Sequence, residues 1–464
     1  MGADSSNSPD QASAQPMNLF KLTWPIFLEL FLFMLMGIAD TFMLSAISDD
    51  AVSGVGASNQ YIFIAILILE VIGNGASIVV AQYIGSKKMV EASKISAHAI
   101  TMNLIAGLMV SAAFLLFNGF MLKTLHLQGD ILDYAQSYLV IVGGGIFLQA
   151  LINSMAAIVR VHGFTKEAMY VSMGMNVIHI ACNYVLIFGK LGFPELGVQG
   201  AAISSVFSRL CALLVFLWLL YRVMEVRIRL QYYVRLSREY MGKILKIGIP
   251  SALEQVMYQG CQMIFLYYTT YLGHEAMAAK QYAGNISQFI YLFAFAIGLG
   301  TCIIIGRQIG AGQQDAAYKR VLDSVKWAIS VTLVMIVLII LFREQLMNLF
   351  TSNPEVVRIG ANVLLLSIVL ETGRTFNIIF VNSLRAAGDA KFPLWVGFFT
   401  MVLMSLSLGY LFVFVFHMGL AGIWLAIASD EWARAVIMYL RWRSRKWEKH
   451  ALVKHDSPAA AAVH

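Results

Sequence analysis

Between residues 22 and 47 the chain is apolar almost throughout, yet it carries Asp40 in its outer part. A helix of about 26 residues crosses a bilayer core of roughly 30 Å, and an ionisable side chain inside one is expensive unless it has a task. Asp40 lies sixteen residues beyond Trp24, about 24 Å along such a helix. At spacings of three, four and seven its face carries Phe33, Met36, Gly37, Met43 and Leu44. A carboxyl in that company can take up and release a proton, the property a coupled exchanger requires. The other reading is a carboxylate satisfied by a neighbouring helix for structural reasons.

Further polar residues fall inside apolar segments. The fifth such segment carries Asn176, His179 and Asn183 on one helical face. The fourth offers Tyr138, Gln149 and Asn153, and the sixth begins with Ser204 and Ser205. These side chains could line a polar pocket with Asp40, or hydrogen-bond between membrane helices as glue. Glu70 and Asn74 share a face of the second segment, with Glu70 a secondary acidic candidate. Glu29 and Glu254 each sit one turn after a proline, a placement that suits a gate contact or a helix-start cap. Glu371 with Arg374, and Asp430 with Arg434, have the spacing of ion pairs along a helix. Among 24 Met and 29 Phe, the cavity candidates are those on the faces just named, with Met257 and Tyr258 from the seventh segment.

The elements that must position these residues follow from composition. With 59% hydrophobic and 13% charged residues over 464 positions, the chain has too little polar surface for a soluble domain. Apolar runs long enough to span give an all-α polytopic membrane protein with twelve helices. They run approximately 22–47, 56–83, 93–118, 132–157, 167–189 and 197–221, then 245–272, 278–306, 319–342, 356–383, 392–416 and 419–440. Of the 33 basic residues, 25 fall in loops of one side and four in the opposite loops, so both termini are expected in the cytoplasm. The polar opening 1–16 reads as a disordered cytoplasmic tail. The chain then divides into a first lobe 17–221, a basic linker 222–244, a second lobe 245–440 and a cytoplasmic tail 441–464. A shift of 225 residues carries Pro25, Leu28 and Glu29 onto Pro250, Leu253 and Glu254, and Gly73 and Gly75 onto Gly298 and Gly300. It also carries Ile84-Gly85 onto Ile309-Gly310, and Arg160 and Gly163 onto Arg385 and Gly388. Two parallel repeats of six spans favour a carrier that rocks about a central site. The four cysteines lie in apolar segments without metal-ligand spacing, so neither a disulfide nor a metal is expected.

Four stretches in order carry a family resemblance: Pro25 with Asp40 fifteen residues on, Asn183-Tyr-Val-Leu-Ile-Phe-Gly189, Gly197-Val-Gln-Gly-Ala-Ala202, and Arg385-Ala-Ala-Gly-Asp389. Over residues 20–440 the chain resembles the multidrug and toxic compound extrusion (MATE) family, and within it the DinF-like branch. The resemblance implies a V-shaped pair of six-helix lobes in the bacterial inner membrane, exporting organic cations and amphipathic compounds in exchange for H⁺ or Na⁺. It implies Asp40 as the proton-linked residue and a network of Tyr138, His179, Asn183 and Ser205. Asn183 stands where some relatives have a second aspartate, and the expected place of a seventh-helix glutamate near Tyr258 is empty of acids. The expected coupling ion is therefore the proton, with no other cofactor. Small cationic or amphipathic drugs and lipid are the expected partners, with no nucleic acid, and the chain is expected to act as a monomer. A flippase for lipid-linked saccharides is the alternative and would use Arg209, Arg374 or Arg434 on phosphates; a sodium-coupled exporter is the second. An enzyme is not expected, because His98, His179 and His417 form no catalytic constellation.

Overall fold

The computed structural model describes residues 18–223 and 228–453, and no strand occurs among them. The expected tail 1–16 lies outside the described residues. The first lobe is built from α1 (Leu19–Ser45), α2 (Asp49–Gly85), α3 (Met89–Lys123), α4 (Gly129–Gly144), α5 (Ile146–Val161), α6 (Thr165–Ile187) and α7 (Gly197–Val223). After a short α8 (Leu230–Val234), the second lobe follows as α9 (Arg238–Thr270), α10 (His274–Gly310), α11 (Gln314–Leu341), α12 (Arg343–Asn348) and α13 (Pro354–Ala386). Next come α14 (Lys391–Thr400), which continues through two π-helical stretches flanking α15 (Ser407–Tyr410), and finally α16 (Gly419–Arg443). Nine of these spans are long and apolar enough to cross a membrane by themselves, and α4 with α5 forms a tenth. The remaining two, α9 and α16, are 33 and 25 residues long and carry the second lobe's polar residues. The architecture is the expected twelve-span, two-lobe V.

Local chemistry explains the element boundaries. Asn18 caps α1 by accepting the Phe20 N–H at 2.9 Å, and Ser48 caps α2 by accepting that of Ala51 at 3.0 Å. Asn353 caps α13, where Pro354 occupies a first-turn position that needs no N–H. The fourth span, expected as one helix, bends by 46° between α4 and α5. At that bend, Gly145 lets Val206 approach to where a β-carbon would lie 2.9 Å from it.

The repeat read from the sequence reappears as reciprocal contacts between the lobes. A β-carbon on Gly85 would lie 2.0 Å from the Arg307 carbonyl oxygen, and one on Gly310 would lie 1.9 Å from that of Gln82. Each contact is the other's image under the shift of 225 residues. The same holds for Gly75 against Ile244 and Gly300 against Leu19. Hydrogen bonds obey it too: Gln82 Nε2 donates to the Ala386 carbonyl at 2.7 Å, and the Arg307 guanidinium donates to that of Val161. A pseudo-two-fold axis therefore passes between α2 and α10, through an apolar core that includes Ile26, Val79, Val80, Ile244, Ile297 and Ile305. All these contacts lie toward the ends of the helices that carry the basic loops. The first half of α1 extends the junction, with the ring of Phe27 5.1 Å from that of Phe293 and Phe31 6.0 Å from Phe289.

The connection between the lobes is pinned to α3. His98 Nε2 accepts the Ser237 N–H at 2.7 Å, and Thr101 donates to the Tyr233 carbonyl at 3.0 Å. Residues 441–453, read from sequence as the start of a tail, are folded. Trp442 and Trp447 stack at 4.2 Å and are both fully buried, and the Leu452 N–H donates to Gln82 Oε1 of the first lobe at 2.8 Å. Two aromatic residues five apart in a basic stretch left no helical pattern to read. Truncating Trp447 to Ala removes a fully buried indole, and such truncations cost about 3–5 kcal/mol. A lowered melting temperature of the detergent-purified protein is the expected result.

Candidate functional site

The second half of α1 packs along α6, and there Asp40 meets the face that the sequence singled out. Asp40 Oδ1 lies 2.7 Å from His179 Nε2 and accepts from Asn183 Nδ2 at 2.7 Å. His179 and Asn183 are one turn apart on α6, so one carboxylate oxygen reaches both. On the far side of the imidazole, Ser208 Oγ of α7 stands 3.5 Å from Nδ1. The side chain of Asp40 is 26% exposed and that of His179 only 2%, so the carboxylate is the wet end of the cluster. Two proton arrangements satisfy the 2.7 Å contact. Either Nε2–H donates to an ionised Asp40, or a protonated Asp40 donates to Nε2 while Nδ1–H faces Ser208. The cluster can thus store a proton without losing its geometry.

A second layer surrounds it. Tyr138 of α4 faces Ser205 of α7 and Asn59 of α2. Arg209 of α7 feels the charge of Asp40, and its buried Nη1 has no hydrogen-bond partner among the described residues. The shift of 225 residues carries Arg209 onto Arg434, which is balanced by Asp430 and Glu431 of its own helix at 2.8 and 3.2 Å. In the first lobe those positions hold Ser205 and Val206, and the carboxylate whose charge reaches Arg209 is Asp40 of α1. At the repeat image of Asp40 stands Phe265, 1% exposed. The flippase reading would offer Arg209 to a phosphate, but the charge of Asp40 already reaches it.

The remaining candidates are distributed differently. Asn153 accepts from Gln149 at 2.8 Å within α5, and buried Asn176 Oδ1 has no partner among the described residues. Glu70 is half-buried, has no hydrogen bond among the described residues, and feels Arg160 rather than the Asp40 cluster. Asn74, Phe33 and Gly37 are exposed, while Met36, Met43 and Met257 are half-buried. Tyr258 lines a cavity of the second lobe. Glu29 and Glu254 are each paired inside their own lobe. Glu29 pairs with Arg160 at 3.0 Å and Glu254 with Arg385 at 2.6 Å, two bonds related by the repeat. Both ion pairs read along the helices are formed, Arg374 with Glu371 at 2.7 Å and Arg434 with Asp430 at 2.8 Å. Glu431, not noted from sequence, joins them by lying 3.7 Å from Arg374. The sequence reading also missed Asn59, Ser208 and the role of Arg209. Ser205, Ser208 and Arg209 share a helical face at spacings of three and four, which was the available signal.

Comparison with known proteins agrees with this architecture. The MatE family model matches residues 25–185 and 250–411, once in each lobe. The uncharacterized transporter YisQ of Bacillus subtilis is 42% identical over 430 residues, 93% of this chain and 94% of its own. A probable multidrug resistance protein NorM of Thermotoga maritima is 28% identical over 94% of both chains. Among solved structures, a MATE protein in the bent conformation superposes with a TM-score of 0.87 at 22% identity, covering 95% of this chain and 98% of its own. The outward-facing conformation of a multidrug resistance MATE family transporter gives 0.87 at 22% identity over 98% of this chain and 100% of its own. With both halves of the chain matched by one family model and a relative at 42% identity along nearly its whole length, the protein belongs to the MatE family of transporters.

Proposed function

We propose that the protein is a proton-coupled antiporter of a bacterial plasma membrane, with both termini cytoplasmic, which acts as a monomer and exports organic cations and amphipathic compounds. The observation that carries this reading is the Asp40, His179 and Asn183 cluster, whose charge reaches Arg209. With Asp40 ionised the pocket is balanced, and a cationic substrate can sit at the exposed carboxylate. Protonation removes the negative charge and leaves Arg209 uncompensated. At an effective dielectric of about 20, a unit charge acting over 4–8 Å contributes about 2–4 kcal/mol, enough to expel the cation. The lobes join on the basic-loop side, so the pocket opens to the opposite face, where an energised membrane delivers protons. The DinF-like reading of the sequence assigns the same role to Asp40.

Sodium coupling has less support, because Glu371, Asp430 and Glu431 of the second lobe are engaged by guanidinium groups that repel a cation. The flippase reading has less support for a related reason. Arg209, Arg374 and Arg434 all feel acidic neighbours and are not free for phosphates. The test is ethidium transport by the purified protein in proteoliposomes. Transport driven by an imposed pH gradient and unmoved by a sodium gradient is expected, and the opposite dependence would overturn the assignment.

A further inference from the structure

The second lobe forms an open cavity of about 370 Å³ between α9, α10, α13 and α16, within the size range of small-molecule sites. The Asp40 mechanism makes no use of it. Its wall is polar to an unusual degree for a membrane interior. Gln255, Gln259 and Gln288 line it, and none has a hydrogen-bond partner in the protein among the described residues. Three charged groups reach the cavity: Lys280, Glu371 and Arg374. Glu371 and Arg374 satisfy each other at 2.7 Å. Lys280 of α10 has neither an ion-pair partner nor a hydrogen bond among the described residues, so the wall carries one uncompensated positive charge. Lys280 is the seventh residue of α10, and an ionisable side chain within a membrane-spanning helix points by default to a ligand or a path. The aromatic rings of Tyr258, Tyr291 and Trp424 complete the wall.

We propose that this cavity is a binding site for amphipathic organic carboxylates, with Lys280 as the anion contact. One cation suits a carboxylate, since a lysine ammonium binds anions as a point charge. The free amides can both donate to and accept from hydroxyl or carbonyl groups of the same ligand. The rings take its apolar or aromatic portion. Such a ligand combines an anion, several hydrogen-bonding groups and a flat apolar part, as an aryl uronic acid conjugate does. The site stands apart from the Asp40 pocket, so it widens the cargo beyond organic cations and does not depend on how coupling is achieved.

The test compares two ligands that differ at one group. The full-length protein in detergent is titrated calorimetrically with 4-nitrophenyl β-D-glucuronide and with the neutral 4-nitrophenyl β-D-glucoside. The glucuronide should bind roughly tenfold more tightly, as expected for a charge-assisted contact. Lys280→Gln should abolish that preference while leaving glucoside binding in place, Lys280→Arg should keep it, and Asp40→Asn should leave it unchanged. Removing a cation from a membrane span spares the fold, and an unchanged melting temperature checks this. Equal affinities in the unmodified protein, a preference that survives Lys280→Gln, or no measurable binding of either ligand would each overturn the assignment. Absence of proton-driven transport by the unmodified protein, with this preference intact, would instead count against the coupling mechanism alone.

Discussion

Asp40→Asn reduces transport driven by a pH gradient to the level of empty liposomes, a loss of about 100-fold or more, while the protein remains folded. Asparagine has the shape of aspartate and keeps an oxygen that can accept from Asn183, so the contact to α6 survives. What disappears is the charge and its proton. Arg209 is then permanently without its balancing carboxylate, and by the Coulomb magnitude given above, cation binding weakens by about 2–4 kcal/mol. The second consequence separates a coupling role from a merely attractive charge. In the unmodified protein, competition between one proton and the substrate changes affinity by up to about tenfold per pH unit across the titration. In Asp40→Asn that slope should vanish. Equilibrium binding of tetraphenylphosphonium between pH 5 and pH 8 measures it, and a slope retained by the variant would move the coupling site elsewhere.

The second large effect is expected at the lobe junction, from the pair Gly85→Ala and Gly310→Ala. The added β-carbons would lie 2.0 and 1.9 Å from backbone carbonyl oxygens of Arg307 and Gln82, which cannot rotate away. Alanine gains roughly 0.5–1 kcal/mol over glycine within a helix, but overpacking costs about 1–3 kcal/mol per site, so the clash decides the sign. The penalty falls only on the conformation in which α2 meets α10, and the state with the lobes parted on that side is relieved of it. A net cost of about 1.4 kcal/mol already shifts the equilibrium tenfold. Opening that side also breaks the reciprocal bonds of Gln82 to Ala386 and of Arg307 to Val161, which makes the change cooperative. With the four native cysteines removed, a cysteine at Ala81, 1% exposed in the closed junction, should label at least about tenfold faster in the double variant, and transport should fall. Gly174→Ala, where nothing lies within 4 Å, is the control and should change neither.

These two sites differ in how far the amino-acid sequence discloses them. The junction glycines were already visible as landmarks in one register, because a helix that must touch another backbone has to omit its β-carbon, and it does so at the same place in both repeats. Asp40 was visible because a carboxylate in an apolar run contradicts its surroundings. The α6 triplet was visible because spacings of three and four put residues on one face. Partners across helices were not, since no periodicity specifies which face turns toward which neighbour. Hence Glu29 and Arg160 were both noted, and so were Glu254 and Arg385, but not as the two repeat-related pairs they form. The bend at Gly145 escaped notice because hydropathy is continuous through it.

The sequence by itself determined the membrane class, the twelve spans, the duplication and Asp40, because length, hydropathy and local spacing are properties of a chain read in one dimension. Only the tertiary structure decided that His179 and Asn183 grip one oxygen of Asp40. The same holds for the charge of Asp40 on the first helix reaching Arg209, and for Lys280 facing a cavity of free amides without an ion-pair partner among the described residues. Those facts are set by the packing of distant helices, where a few ångströms decide whether two polar groups satisfy each other or wait for a ligand.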